Sequence, residues 1–313
     1  MGRYRLGDII RLTRKSLSIT QEQLCDGICS TETLSRMETG KQSPNRDTYE
    51  LLMERMGRIR ERAYSMLSIS DFKVLEKMKQ LEDCLHQYEY NRAEDILKEI
   101  KKSLGNTILD KQFLIRAESL IRYRLNKITT DEFLEGLQEA IRLTIPRYGT
   151  ISLASWPLTY NEALILLNLS TAYAENEDHE KAIGILEESK NALKLSYMDE
   201  QQRIIMLLSN IHNLSKWKSV IGEYEESTKT ALEGIELCRK YKLCSALPHF
   251  IYCVAWNKEQ LISMGVQPQE TIKECLKDYN KGYYIASAIQ QPYMQQFIEK
   301  HVMDSFQMTI SSD

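Results

Sequence analysis

The chain's scarcities narrow its possibilities before any motif does. Its 313 residues include only 6 prolines and 13 glycines, and no stretch alternates apolar with polar residues as a half-buried strand must. Little room is left for sheet, so an all-α fold is expected. No apolar run approaches the roughly 20 residues needed to cross a bilayer, and Arg3 and Arg5 open an amphipathic segment where a secretory leader would stand. The expectation is a cytoplasmic protein with no membrane partner. Seven cysteines, an odd number without a regular framework, fit reduced thiols in that compartment. There is no Gly-rich phosphate loop, no His-Glu-x-x-His and no Cys-x-x-Cys, and His86, His179, His212, His249 and His301 are scattered. Catalysis, metal binding and a cofactor therefore have no support, and the chain reads as a binding protein rather than an enzyme. Acidic pairs such as Glu187-Glu188 and Glu225-Glu226 read as solvated helix faces.

The composition is that of an ordinary folded protein, 42% hydrophobic and 27% charged, and long enough for two domains. Its charge is uneven. Residues 1 to 62 hold 12 Lys/Arg against 9 Asp/Glu, or +3, so a net charge of −3 leaves −6 for the remainder. Contact with a polyanion belongs to the first part.

Residues 19 to 46 of that part are the most informative. Thr20 is a good N-cap and Gln23 completes a capping box, so a short helix starts at Gln21 and runs to about Asp26, where Gly27 stops it. Ser30 caps a second helix with Thr33 at its third position. Leu34 and Met37 fall on the inward face, leaving Thr31, Glu32, Ser35 and Arg36 outward. Gly40 and Pro44 end that helix, and Asp47 or Thr48 can cap another through Leu51, Leu52, Arg55 and Met56. Upstream, Leu6, Ile9, Ile10, Thr13 and Leu17 make a first helix. The pattern is a helix-turn-helix, whose second helix can enter a DNA major groove. Arg36 suits a phosphate or a guanine edge. Thr31 and Glu32 can contact bases, or can be solvated residues at the positive end of a helix. Cys25 and Cys29 sit four apart, but Cys25 reads as a small apolar core residue rather than a metal ligand.

These residues resemble the Cro/C1 type of helix-turn-helix. The run Asp-Gly-Ile-Cys-Ser followed by Thr-Leu-Ser-Arg-Met-Glu-Thr-Gly-Lys resembles one branch of it, the peptide-sensing RRNPP family of Gram-positive regulators, which includes the PlcR, Rgg and PrgX types. The short turn from Gly27 to Ser30 is the more specific part. The resemblance covers residues 5 to 57. It implies double-stranded operator DNA as a partner, with Gln21, Thr31, Glu32, Thr33, Ser35, Arg36 and Lys41 as the contact set, and it makes Arg14 and Glu38 a structural salt bridge.

From Asp71 onward, apolar-periodic segments of about 15 to 20 residues alternate with short polar breaks, the pattern of helical hairpins. Leu166, Leu169, Ser170 and Tyr173, then Ala182, Leu186 and Ser189, resemble a tetratricopeptide (TPR) unit. Adding 45 gives Leu214, Ser215 and Lys218, then Ser227, Ala231 and Gly234, with Lys218 where an aromatic is usual. Ala93 with Leu97 and Ile272 with Leu276 mark weaker copies. About five degenerate repeats are expected, stacked as a TPR-like α-solenoid whose first helices line a concave face. Asn168, Asn213 and Asn257 recur at separations of 45 and 44, with Asn161 and Asn210 one face away. An amide offers a donor and an acceptor, so such a set can pair with the backbone of an extended peptide. His212, Lys216, Tyr252 and Tyr284 can add charge and aromatic contacts. The same amides can instead serve hydrogen bonds between repeats.

The family resemblance implies that the repeats bind a short signalling peptide, a quorum-sensing switch. The expected division is a reader at 1–57, a linker helix at 58–70, and a sensor and dimerisation domain at 71–313. A homodimer, joined through helices between Glu270 and Gln307, would hold two readers about one DNA turn apart, about 34 Å. Peptide binding would then shift their separation. The alternative is a reader whose repeats dock another protein.

Overall fold

The computed structural model describes residues 6–58, 69–104, 107–154, 156–266 and 272–310. Among them lie fifteen α-helices and one isolated β-bridge between Tyr148 and Ile151. The fold is all-α, a helix-turn-helix bundle followed by TPR-like helical hairpins. The expected linker at 58–70 falls mostly on residues 59–68, outside the described residues.

Four helices build the bundle: α1 (Leu6–Ser16), α2 (Gln21–Cys25), α3 (Thr31–Glu38) and α4 (Arg46–Arg55). Their start signals are those the sequence carries. Thr20 Oγ1 accepts from Gln23 N at 3.1 Å while Gln23 Oε1 accepts from Thr20 N at 2.9 Å, and Ser30 Oγ accepts from Thr33 N at 3.1 Å. Each such cap contributes about 1 kcal/mol. The fourth helix differs from expectation. Asn45, not Asp47 or Thr48, caps it, because Asn45 directly follows Pro44 with extended backbone and its Oδ1 accepts from Thr48 N at 2.8 Å. Ile10, Ile19, Leu24, Cys25, Leu34, Met37, Leu52 and Met56 close one buried core, so Cys25 is the apolar filler its position suggested. Gly7 is required where α1 crosses α3, since a Cβ there would overlap the Met37 carbonyl.

Eleven helices follow. They are α5 (Ile69–His86), α6 (Tyr90–Ser103), α7 (Ile108–Arg124), α8 (Thr130–Arg142), α9 (Tyr160–Glu175), α10 (His179–Leu195), α11 (Glu200–Val220), α12 (Tyr224–Tyr241), α13 (Leu247–Ser263), α14 (Ile272–Ala288) and α15 (Pro292–Phe306). Met1–Asn176 with Asn191–Arg203 form one compact unit; Glu177–Lys190 with Ile204–Asp313 form the other.

In the first unit, Leu81, Leu85, Leu97, Ile100, Phe113 and Ile121 knit α5, α6 and α7 around the small residues Ala93 and Ala117. In the second, α11 and α12 meet at two serines: Ser227 Oγ donates to Ser215 O at 2.7 Å and Ser215 Oγ donates to Ser227 O at 3.1 Å. Gly234 lies against the Phe250 ring, with no room for a Cβ. These are the small positions of the repeat pattern, and their size sets the helix spacing. Lys218, where an aromatic is usual, pairs with Glu187 at 3.1 Å. Ala255, Tyr279, Ile298 and Val302 join α13, α14 and α15.

The salt bridge implied by the resemblance is present. Arg14 donates from Nε to Glu38 Oε1 at 2.6 Å and from a terminal nitrogen to Oε2 at 2.8 Å, and Gln21 Nε2 donates to the same Oε2 at 2.8 Å. Burial alone would raise the Glu38 carboxyl, but the hydrogen bonds from Arg14 and Gln21 and the Arg14 charge together hold it below the usual carboxylate range. A depressed carboxylate stabilises the fold above its unfolded pKa and loses that stabilisation as pH falls toward its folded one. Glu38→Gln should therefore destabilise the chain by about 3 kcal/mol at neutral pH, since it strands a largely buried guanidinium. The difference from wild type should shrink on acidification below about pH 4.5. Thermal denaturation across pH checks this, and a pH-independent difference would remove Glu38 from that role.

Candidate nucleic-acid interface

The rotation of α3 decides what the bundle can present. Leu34, Met37 and Glu38 are buried, so the helix lies with that stripe inward. Thr31, Glu32 and Arg36 are exposed on the other side, and Lys41 is exposed just beyond the helix. The two other members of the expected set on α3 are half-buried: Ser35, and Thr33, whose Oγ1 lies 2.8 Å from Ser30 Oγ. Gln21 is also half-buried, and its amide nitrogen is held by Glu38. The set thus divides into an outer group that can reach a groove and an inner group that positions it. At the end of the helix Thr39 Oγ1 donates to Ser35 O at 2.8 Å, and Lys41 N donates to Arg36 O at 2.9 Å, which fixes Lys41 close to Arg36.

Within its unit this bundle is seated on the connection between α8 and α9 and on residues 196–198. Arg55, 4% exposed, is the seat's centre. Its guanidinium lies 4.5 Å from the centroid of the Trp156 ring and donates to the carbonyls of Leu24, at 3.3 Å, and Asp26. Burial pushes it below the usual guanidinium range, against the opposing charges of Glu162 and Asp26. Arg147 pairs with Asp26 at 3.2 Å. Gly27, at φ +73°, faces Trp156 and Pro146, and Gly57, at φ +64°, is pressed on the Tyr197 carbonyl, which any Cβ would overlap. Sequence periodicity places Arg55 with Leu52 and Met56 on one face of α4. It does not show that this arginine is buried, because Trp156 is a hundred residues away.

The residues expected to touch a peptide fall in unlike settings. Asn161 Oδ1 accepts from Arg116 Nε at 3.0 Å, and its Nδ2 donates to Gln112 Oε1 at 2.9 Å. Asn257 is fully buried, accepting from Ser219 Oγ and donating to Ser227 Oγ, both at 2.7 Å. Both ends of each amide are used between helices, the inter-repeat role that the sequence also allowed for them. Asn210 is fully buried too, without a partner among the described residues for either amide atom. Asn168 and Asn213 are half-buried, and Asn168 Oδ1 has no partner among the described residues.

Lys216 is exposed, its ammonium 4.3 Å from the Trp217 ring centroid. Tyr252 is half-buried among Trp256, Tyr279, Phe297 and His301, and burial raises its hydroxyl above the ordinary range. Tyr284 is exposed and packs edge-on against Tyr283. His212 stacks edgewise on His249 at 5.2 Å. Burial, then the charges of His249 and Lys216, hold His212 down at about 3, so it is neutral at ordinary pH. No group of three or more metal-ligating side chains occurs among the described residues. None of the described helices is long and apolar enough to cross a membrane.

Residues 10–62 match the helix-turn-helix family. No curated protein sequence matches the chain. Solved structures share its fold over nearly the whole length. PlcR of Bacillus thuringiensis in complex with the peptide PapR7 and DNA superposes with a TM-score of 0.62 at 20% identity, covering 95% of this chain and 99% of PlcR. ComR from Streptococcus vestibularis in its apo form gives 0.53 at 14% identity, covering 96% and 97%. ComR from S. thermophilus with DNA and its signalling peptide ComS gives 0.52 at 15%, covering 96% and 99%.

Arg55→Met should destabilise the chain by about 3 kcal/mol, because the carbonyls of Leu24 and Asp26 lose a buried charged donor. Calorimetry should also show the bundle melting ahead of its unit. A single transition at the wild-type temperature would contradict the seat.

Proposed function

We propose that this chain, with its helix-turn-helix domain and a fold shared with PlcR and ComR, is a sequence-specific DNA-binding transcription regulator that is not an enzyme. Its repeats bind a short signalling peptide that switches the geometry of a homodimer. The observation that carries the DNA assignment is the orientation of α3, whose buried stripe leaves Thr31, Glu32 and Arg36 facing out beside Lys41. A helix so mounted fits a major groove about 12 Å wide, where an arginine fork can pair with a guanine edge. Lys41 suits a phosphate, and Gln21 supports the helix through Glu38.

For the peptide, the second unit supplies the more accessible of the expected contacts on α11 and α13. Asn213 and Lys216 offer an amide and a charge, the neutral His212 a further polar edge, and Tyr252 an aromatic platform. An extended peptide held by its backbone needs this mixture of donors, acceptors and apolar surface. PlcR with PapR7 and ComR with ComS are peptide complexes on the same fold. For dimerisation, α15 carries Tyr293, Phe297 and Met303 outward, 62%, 44% and 43% exposed, an apolar surface that a second copy can cover.

Arg36→Ala should weaken operator binding by about 1 to 3 kcal/mol and relax preference at one base position, with an unchanged melting profile. Gel shifts with duplexes from the chain's own locus measure it, and unaltered affinity would remove Arg36 from the interface. Asn213→Ala should abolish calorimetric binding of synthetic peptides of about five to ten residues encoded beside the gene, leaving DNA affinity without peptide as in wild type. Normal peptide binding by that variant would sink the assignment of α11.

A further inference from the structure

The start of α3 lines a cleft of about 1020 Å3 together with residues 194–197 and Arg203. Ser30 and Thr31, Lys194 and Arg203 all line it, as does the buried Arg55 stacked on Trp156. All of these residues belong to one compact unit. Lys194 is exposed and Arg203 half-buried, its Nε buried without a hydrogen-bond partner among the described residues. Two acidic residues share the cleft. Asp26 is paired with Arg147, and Glu22 is exposed, so the cations outweigh the acids that face them. Asp199 and Glu200 lie in the same stretch of chain but do not line the cleft; Asp199 is turned to cap α11, accepting from Gln201 N at 2.9 Å.

Geometry makes this charge relevant to a nucleic acid. If the first turn of α3 enters a major groove, the sugar-phosphate strand bordering that groove must pass beside Ser30 and Thr31, since the groove is only about 12 Å wide. The N–H groups of that first turn have no acceptor within the helix and favour an anion at the same place. Cations that line the same cleft as that first turn are placed beside that strand. The stretch of chain that carries them is also fixed relative to the reader: Tyr197 packs on the reader's core, Gly57 is pressed on the Tyr197 carbonyl, and Ser196 Oγ donates to Leu158 O at 2.6 Å.

We propose that Lys194 and Arg203, contributed to this cleft by the repeats, are a second DNA-contacting element that grips the phosphate strand bordering the groove entered by α3. The inference rests on the DNA-reading function proposed above. It makes the regulator's footprint wider than its helix-turn-helix, with a sequence-independent contact added by the sensor part of the chain. Contacts of this kind set register and affinity without reading bases.

The test uses the full chain and a duplex that the protein itself enriches from a random-sequence pool, with affinity followed by fluorescence anisotropy over a range of salt. Each lost phosphate contact lowers the salt slope by about 0.9, so Lys194→Gln with Arg203→Gln should flatten it by about 1.8 and weaken binding about tenfold or more at low salt. Preference among base substitutions in the operator should not change. Trimming the duplex to the bases under α3 should cost the unaltered protein a similar factor and cost the double variant little. A double variant with the wild-type slope and affinity would overturn the proposal. So would an unaltered protein indifferent to trimming, a measurement that stands even if the variant folds poorly. Wild-type protein that enriches no sequence at all would instead overturn the DNA-reading function on which the inference rests.

Discussion

The rotational setting of α3 is the constraint on which the rest depends. An eight-residue helix has few contacts with which to fix its roll, and here three do so: Leu34 and Met37 enter the apolar core, and Glu38 is clamped by two nitrogens of Arg14 and one of Gln21. Hydrophobic burial chooses the face but tolerates sliding. The bidentate ion pair does not, because its hydrogen bonds weaken steeply with angle. Apolar packing and directional polar bonds thus act together, and the consequence is a defined outer surface of Thr31, Glu32 and Arg36.

The same division of labour recurs in the repeats. Serine and glycine at close crossings, as at Ser215 with Ser227 and Gly234 with Phe250, bring helices together, and buried polar networks fix which residues meet. In the first unit Arg116 ties Glu82 to Asn161, which in turn holds Gln112, and Gln112 reaches Thr144 Oγ1 at 2.7 Å at the edge of the reader's seat. A continuous run of polar contacts therefore joins the first hairpin to the segment on which the reader rests. Such a run couples sites only if it has two discrete arrangements, and this fold supplies the connected elements for one.

Much of the fold was legible in the sequence because its signals are local. The capping box at Thr20, the cap at Ser30, the stops at Gly27 and Gly40 and the inward Leu34 and Met37 are properties of a few neighbouring residues, and the structure carries each of them. The all-α class followed from periodicity and from the scarcity of turn formers. The candidate site was legible only in outline. A helical wheel separates inward from outward but not solvent from a neighbouring helix, so Asn161 and Asn257 looked like Asn213 until their partners were known. The seat of the reader was invisible, because Arg55 meets Trp156 across a hundred residues with no repeating pattern to announce it. Lys194 and Arg203 carried no signal for the same reason.

An exposed face of α3 that reads bases must distinguish one duplex from another. The decisive quantity is the ratio of the dissociation constants of the full chain for the duplex it enriches from a random pool and for a scrambled duplex of equal length and composition, at one salt concentration. A ratio of about a thousand or more is expected of a base-reading helix. Equal, merely salt-sensitive affinities for the two duplexes would contradict it.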